Sequence, residues 1–468
     1  MTDTDKIAQL ENDLRLLFKE FSLFREEMIL KVAVLEAENK VLKEELKKYE
    51  HPKNSNNSSV PPSQDRFRKT TSSREKSTKK IGGQKGHKGK KLSKVACPDK
   101  TIFHDIKQCT CCGELLSKEG KKSSRQLFDF PEIKMLVTEH ITVSKTCKGC
   151  GEVNKSKFPK GLVQEAQYGD RVKSFCVYLQ TYQMLPFERC VELLEDLTGQ
   201  RISQGSLANF QKVAYAKLSD YEHKIAQLLL KSEINHADET GVNLNGKNTW
   251  IHVLSNQNMT FFGHHIKRGK EAIDSFAIIP KYKGTLIHDR FSSYFAYNCK
   301  HSLCNAHVLR ELKYVEQAFE AKWSKKLTQL LTQAHQLKKK TGACTTQYYN
   351  KILEEYQQLI KPIIENYNTV YSKTDEERLA FGLEKHKELF LKFIKEKNIP
   401  FDNNLAERDL RMIKVKLKIS GLFKSIAHAQ YFARIRGYIS TVKKNNENVL
   451  DCLVLAFQNN PFIPGMGE

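Results

Sequence analysis

The sequence predicts a multidomain α+β protein. Three observations carry that expectation: an N-terminal stripe of apolar residues at steps of three and four, two paired CxxC clusters, and a later run in which strand-like segments alternate with helical ones. The chain has 468 residues, enough for two to four domains of roughly 100–200 residues each. Lys and Arg number 77 against 54 Asp and Glu, a formal net charge of +23, which points to an anionic partner and to nucleic acid first. The hydrophobic fraction of 40% and the mean hydropathy of −0.54 allow ordinary globular cores and exclude a polytopic membrane protein. There is no run of about 18 apolar residues, and the N-terminus lacks the basic-then-apolar order of a signal peptide, so a cytoplasmic, reducing location without membrane association is expected. In such a compartment the twelve cysteines read as metal ligands or buried thiols rather than disulfides.

Residues 1–50 are predicted to be a coiled coil. Ile7, Leu10, Leu14, Leu17, Phe21, Phe24, Met28, Val32, Leu35, Leu42 and Leu46 follow the a/d spacing, with a stutter at Phe24–Met28–Val32 and a polar Asn39 on the same stripe. Charged residues fill the remaining faces, which favours self-association into a homo-oligomer. Residues 51–94 then lose apolar character. From Arg66 to Lys94 there are twelve basic residues and one acid, a net +11 in a segment too polar to build a core. This is expected to be a disordered arm along a nucleic-acid backbone, with Lys79, Lys80, Lys85, Lys88, Lys90 and Lys91 as phosphate contacts.

Residues 95–165 contain Cys109-Thr-Cys111-Cys112-Gly113 and Cys147-Lys-Gly-Cys150-Gly151. Cys109, Cys112, Cys147 and Cys150 form two knuckles with 34 residues between them, a donor set suited to one structural Zn²⁺. The alternation in FDFPEIKMLVTEHITVSKTC suggests the strands of a zinc ribbon. Residues 166–230 are predicted helical: about Tyr168 to Met184, Phe187 to about Leu197, then a third helix capped by Ser203 with Leu207, Phe210, Val213 and Leu218 on its apolar face. A short Gly-containing turn between the last two fits a helix-turn-helix, which would present Gln204, Ser206, Asn209 and Lys212 to DNA.

From residue 231 to the C-terminus the predicted order is β-β-β-α-β-α-β-α, shared with the ribonuclease-H fold. Asp238 lies in the first strand and Asp289 ends the fourth. Two carboxylates on adjacent central strands repel unless a divalent cation bridges them. A third carboxylate, Glu407, sits on the helix predicted in DNNLAERDLRMIKVKLKIS, with Arg411 and Lys414 at i+4 and i+7 on the same face, suited to a DNA phosphate. Residues of about 312–395 read as an all-helical insertion between Asp289 and Glu407.

Taken together the chain resembles transposases of the insertion-sequence-66 family, within the DDE transposase group. The matching pieces are the coiled coil, NSSVPPSQD, GGQKGHKG, the CxxC knuckles, HADETG, IHDRFSSY, CNAHVLREL and DNNLAERDLR, in family order over nearly the full length. Departures are Cys111, which makes the first knuckle CTCC and offers, at a tighter spacing from Cys109, an alternative ligand to Cys112, and Lys85, where relatives often carry proline. The resemblance implies Asp238, Asp289 and Glu407 as a triad holding two Mg²⁺ (or Mn²⁺) ions for DNA cleavage and strand transfer. It places His307 and Arg310 near the active site, assisting catalysis without binding metal. It also implies element ends and target DNA as partners, accessory proteins of the same element, and a bacterial cytoplasm with nucleoid association on DNA. A non-catalytic DNA-binding protein and a ribonuclease-H-type nuclease are the alternatives.

Overall fold

The computed structural model describes residues 3–54, 56–58, 86, 89, 91–118, 120–342, 344–367 and 373–465. Lys79, Lys80, Lys85, Lys88 and Lys90 of the expected basic arm lie outside the described residues; Lys91 is described and exposed.

One compact unit comprises residues 1–68, 159–192 and 202–468, and another residues 69–158 and 193–201. The first begins with helix α1 (Asp3–Glu50), continuous over the expected heptad region. Its apolar stripe stays exposed from Ile7 to Leu46. Its C-terminal part is held: Lys40 pairs with Glu377 at 3.1 Å, Glu44 accepts from the Asp375 backbone N–H at 2.7 Å, and the Lys47 ammonium lies over the Phe319 ring.

In the second unit β1 (Ser144–Thr146) and β2 (Val153–Lys155) form an antiparallel ladder. The long strand alternation expected before Cys147 is not realised: only its last residues pair, and Leu127, Phe130, Leu136 and Val137 are largely exposed, so no face is buried to hold a ladder.

Returning to the first unit, the predicted first helix is α2 (Asp170–Val177), continued by a π-helical turn over Tyr178–Tyr182. Then come α3 (Phe187–Thr198), of which Phe187–Glu192 belong to this unit, α4 (Gln204–Lys217) and α5 (Ser219–Leu230). Ser203 caps α4 as expected, accepting from the Ser206 N–H at 3.0 Å. Leu207, Phe210 and Leu218 are buried, while Val213 is only half-buried and Ala214 takes its place in the core.

The sheet follows: β3 (Ile234–Leu244), β4 (Lys247–Ser255), β5 (Thr260–His265), then α6 (Lys270–Ser275), β6 (Thr285–His288) and β7 (Lys300–Leu303). The order is β5-β4-β3-β6-β7. The first three strands form an antiparallel meander, and β6 and β7 run parallel to β3. Asn245 and Gly246, both at positive φ, close the β3–β4 hairpin, the two-residue turn whose twist matches the strands. The helix expected between the fourth and fifth strands is a single 3₁₀ stretch, Ser292–Ala296.

Helices α7 (Asn305–Phe319), α8 (Lys322–Thr341), α9 (Thr346–Glu365), α10 (Asp375–Lys385) and α11 (Lys387–Lys395) form a helical stretch of the chain. Its own core includes Leu312, Leu327, Leu331, Tyr356, Leu383 and Phe390. The chain then returns to the sheet as α12 (Asn404–Ser420), α13 (Ile426–Lys444) and α14 (Val449–Phe457). Ala406, Leu410 and Ile413 of α12 and Ala429, Phe432 and Ala433 of α13 pack on Val242, Ile251, Val253 and Phe262 of the sheet. Gly437 lets α13 lie close to β5: a Cβ there would stand 3.2 Å from the Thr260 carbonyl oxygen. Helices α4 and α5 pack on α13, where Arg434 pairs with Glu222 at 2.6 Å and covers the Tyr215 ring, and Tyr221 meets Tyr438 edge-on. Among the described residues no helix is long and apolar enough to cross a membrane.

Candidate active site

Strand register brings the first two acids together. β3 and β6 pair in parallel with His236 opposite Ile287. Two residues further along each chain stand Asp238, on β3, and Asp289, just past the end of β6. Asp238 Oδ1 accepts from the Glu239 N–H at 2.8 Å, and Asp289 Oδ1 from the Phe291 N–H at 3.1 Å. Among the described residues neither aspartate forms an ion pair. Arg290, next to Asp289, adopts a positive φ of 75° and pairs with Glu311 of α7. Glu311, the residue after Arg310 on α7, therefore serves Arg290.

The third acid arrives through a clamp that sequence reasoning missed. Asn403, the residue before α12, is buried. Its Nδ2 donates to the Ala237 carbonyl at 2.9 Å, so its Oδ1 accepts from His236 Nδ1 at 2.8 Å. Its backbone N–H donates to Cys304 Sγ at 3.1 Å. Glu407 follows one turn later, its N–H directed to the Asn403 carbonyl. The start of α12 is therefore fixed against β3, beside Asp238. The signal available in sequence was the amide and acid run Asp402-Asn403-Asn404 ahead of the helix, a capping pattern that does not disclose a tertiary partner.

The electrostatics record the crowding. Burial raises the Asp238 carboxyl well above its ordinary range, and the charges of Glu239, Asp289 and Glu407 add to it. Burial likewise raises Glu407; Arg310 and Arg411 oppose the shift, while Asp402 and Asp289 reinforce it. Burial and the Arg310 charge hold His307 down at about 4, so it is neutral at physiological pH. Its Nδ1 stands 3.7 Å from Glu407 Oε1, and both atoms are buried without a hydrogen-bond partner. Sequence kept His307 clear of metals, yet the donor atoms of Cys304, His307 and Glu407 all lie within 4.8 Å of one another. Among the described residues this is the group that approaches metal-ligand spacing; the carboxylates of Asp238, Asp289 and Glu407 do not all three lie within that span of one another.

Glu239 has partners of its own, although burial and then the Asp289 charge raise its carboxyl as well. Arg268 pairs with it at 2.8 Å, and the Tyr294 hydroxyl donates to it at 2.7 Å. Arg268 in turn lies over the Trp250 and Phe291 rings. Of the two residues expected at DNA, Arg411 is exposed, whereas Lys414 is half-buried and donates to the Gly241 carbonyl at 3.1 Å. Lys414 is thus tied to β3, with its charge close enough to feel Asp238.

The crowded, unpaired carboxylates of Asp238 and Asp289 with the raised Glu407 suit a hard divalent cation, which oxygen ligands prefer. In the other unit each CxxC loop is built alike. Gly113 and Gly151 turn at φ 80° and 75°, their N–H groups reaching the Cys109 and Cys147 carbonyls. Backbone N–H groups of Cys112 and Cys111 lower the Cys109 thiol, and those of Cys150 and Gly149 lower the Cys147 thiol. Each loop therefore favours thiolate, as a zinc knuckle requires, although the four sulfurs are not gathered into one cluster.

The family model described as zinc-finger binding domain of transposase IS66 matches residues 107–151, and a family of unknown function matches residues 5–93. The model described as transposase IS66 family matches residues 165–431, more than half of the chain and all of the candidate site. The class of protein is thus a transposase. The chain belongs to the IS66 transposase family. No curated protein matches it. Among solved structures, it is similar to a chain in the cryo-EM structure of a simian T-cell lymphotropic virus intasome in complex with PP2A regulatory subunit B56 gamma. That likeness has 13% identity and a TM-score of 0.14, and covers 32% of this chain. It covers 54% of that chain, so this protein spans about half of its length; a superposition this loose carries no argument.

Proposed function

We propose that this protein binds the ends of a mobile element and catalyses divalent-metal-dependent DNA cleavage and strand transfer, with Asp238, Asp289 and Glu407 as its acidic triad. The observation that carries this reading is the convergence of the three acids: two in register on neighbouring strands, the third delivered beside them by the Asn403 clamp. The sheet order supports a ribonuclease-H-like core, interrupted by the helical insertion over about 312–395. The proposed division is a coiled coil over 1–50, a basic arm over 51–94, a zinc ribbon over 95–165, a helical DNA-binding region over 166–230 and the catalytic domain over 231–468.

The triad would hold two Mg²⁺ or Mn²⁺ ions, which when bound supply Lewis-acid activation of the attacking oxygen and charge stabilisation at the phosphate. The chain itself supplies position. Asn403 and His236 set the height of α12, Arg290 and Glu311 hold the loop that carries Asp289, and Arg310 offers a cation beside Glu407 for a phosphate oxygen. Arg411, exposed one turn after Glu407, suits the DNA backbone. Cys109, Cys112, Cys147 and Cys150 would share one Zn²⁺, and the exposed stripe of α1 would pair with a second copy.

A non-catalytic DNA-binding protein gives no reason to gather three buried or half-buried acids. The deciding experiment is strand transfer on labelled element ends with wild type and Asp289→Asn, with an RNA–DNA hybrid as a parallel substrate. Wild type should join the DNA ends and Asp289→Asn should not. Equal joining by both would overturn the triad, and selective hybrid cleavage would favour the nuclease alternative.

A further inference from the structure

We propose that Cys304, His307 and Glu407 form a separate transition-metal centre that fastens the N-terminus of α7 to the first turn of α12. The inference goes beyond the triad reading and shares one residue with it, Glu407. Three donor types meet: a thiol from the residue that begins α7, an imidazole one turn later, and a carboxylate from α12. Their ligand atoms lie within 4.8 Å of one another. In a tetrahedral site with bonds of about 2.0–2.3 Å, ligand atoms stand roughly 3.3–3.8 Å apart. His307 Nδ1 and Glu407 Oε1, at 3.7 Å, already meet that spacing. The sulfur needs to move by about an ångström or less to complete it.

Two further features point to a ligand. His307 Nδ1 and Glu407 Oε1 are both buried and lack hydrogen-bond partners, in a family of groups that native folds almost always satisfy. The close approach of a neutral imidazole to a carboxylate oxygen leaves two acceptor atoms facing each other unless the imidazole proton or a cation stands between them. Second, Cys304 Sγ accepts the Asn403 backbone N–H at 3.1 Å. Such N–H to sulfur bonds orient the sulfur and oppose the burial that pushes the Cys304 thiol up to about 12, the outer-shell arrangement that metal-bound cysteines use.

The donor chemistry selects the ion. Thiolate and imidazole favour Zn²⁺, Co²⁺ and their neighbours over Mg²⁺, which takes oxygen ligands. One carboxylate, one imidazole and one thiolate leave a fourth position for water or a substrate oxygen. The two centres share the Glu407 carboxylate and differ in their other ligands, so they are told apart by experiment through the residues they do not share.

The test uses Co²⁺ as the probe with the intact full-length chain. Metal-depleted wild type, Cys304→Ala, His307→Gln and Asp238→Asn are titrated, with bound equivalents counted and the thiolate-to-cobalt charge-transfer band recorded. Because the CxxC knuckles are unaltered in all four, their contribution cancels in the differences. Wild type should bind one equivalent more than Cys304→Ala, and His307→Gln should weaken that same equivalent at least tenfold. Asp238→Asn should retain it, even if its strand transfer is lost, so failure of this centre and failure of the triad are distinguishable. Folding of each variant is checked by circular dichroism. The proposal is overturned if folded Cys304→Ala or folded His307→Gln binds Co²⁺ with wild-type stoichiometry, affinity and spectrum.

Discussion

His236 and Asn403, 167 residues apart in the chain, are joined by a 2.8 Å hydrogen bond inside the protein. The carboxamide is engaged at both ends, since its Nδ2 donates to the Ala237 carbonyl. This forces the Nδ1–H tautomer on His236. Burial depresses the imidazole pKa, which favours that neutral form. The bond ties α12, the helix that brings Glu407 to the candidate site, to the strand that carries Asp238.

Asn403→Ala removes both partners of that clamp at once. With His236 Nδ1–H and the Ala237 carbonyl left buried and unpaired, the loss should be about 2–4 kcal/mol, at roughly 1–3 kcal/mol for each orphaned group less partial relaxation. Denaturant unfolding measures it. An unchanged midpoint would mean that α12 is positioned by its apolar face alone.

The raised carboxyls of Asp238 and Glu407 make a signed pH prediction. Their ordinary values are 3.8 and 4.5, and both rise on folding, chiefly through burial. The folded chain then holds protons that the unfolded chain has released. Stability contributed by these groups is therefore present below the ordinary values and is lost as pH rises from there through the raised folded values. Removing the charge should reverse the effect: metal-free Asp238→Asn should have a higher Tm than metal-free wild type at neutral pH. Mg²⁺ should raise the Tm of wild type more than that of the variant. A variant less stable than wild type at neutral pH, without metal, would contradict the crowding argument.

The knuckles predict a zinc loss specific to one unit. Cys147→Ser should lower bound zinc by one equivalent per chain and leave the sheet and its helices folded, because the CxxC loops lie in a separate compact unit. Metal analysis and hydrogen exchange together check this. Undiminished zinc in the variant would show that these cysteines are not ligands.

Much of the fold was legible because its signals are local. The period of three and four over residues 7–46 becomes α1, Ser203 caps α4, and the apolar runs around Asp238 and Asp289 become β3 and β6. What was not legible depends on distant partners. Nothing near Asn403 in sequence announces His236, and nothing near Glu239 announces Arg268 and Tyr294. The alternation before Cys147 misled for the same reason: period-two patterning marks a strand only where a face is buried, and here it is exposed. The cysteine of CNAHVLREL carried no metal signal by itself, because its carboxylate neighbour lies about a hundred residues on, at Glu407.

The basic arm should supply sequence-independent affinity. Deleting residues 66–94 should flatten the slope of log K against log salt by about 0.9 for each B-DNA phosphate that the arm no longer neutralises. An unchanged slope would reduce the arm to a spacer.

The proposed triad makes the sharpest prediction because the chain contains its own control. Asp238→Asn, Asp289→Asn and Glu407→Gln each keep the shape of the side chain and remove one negative charge. Affinity for divalent ions should fall, and charge developing on the phosphate would go uncompensated. Cleavage and joining should then drop by about two to three orders of magnitude or more, the scale of removing one electrostatic interaction at a reacting centre. Gel-shift affinity for element-end DNA should survive, since the arm and the helical region are elsewhere in the chain. Glu239 neighbours Asp238 in sequence but is occupied by Arg268 and Tyr294. Glu239→Gln leaves Arg268 without its carboxylate, which should cost stability while preserving more activity than Asp238→Asn. The two variants are compared at equal folded concentration in the same strand-transfer assay. An inactive, folded Glu239→Gln beside an active Asp238→Asn would move the reacting acid one residue along β3, to the other face of the sheet.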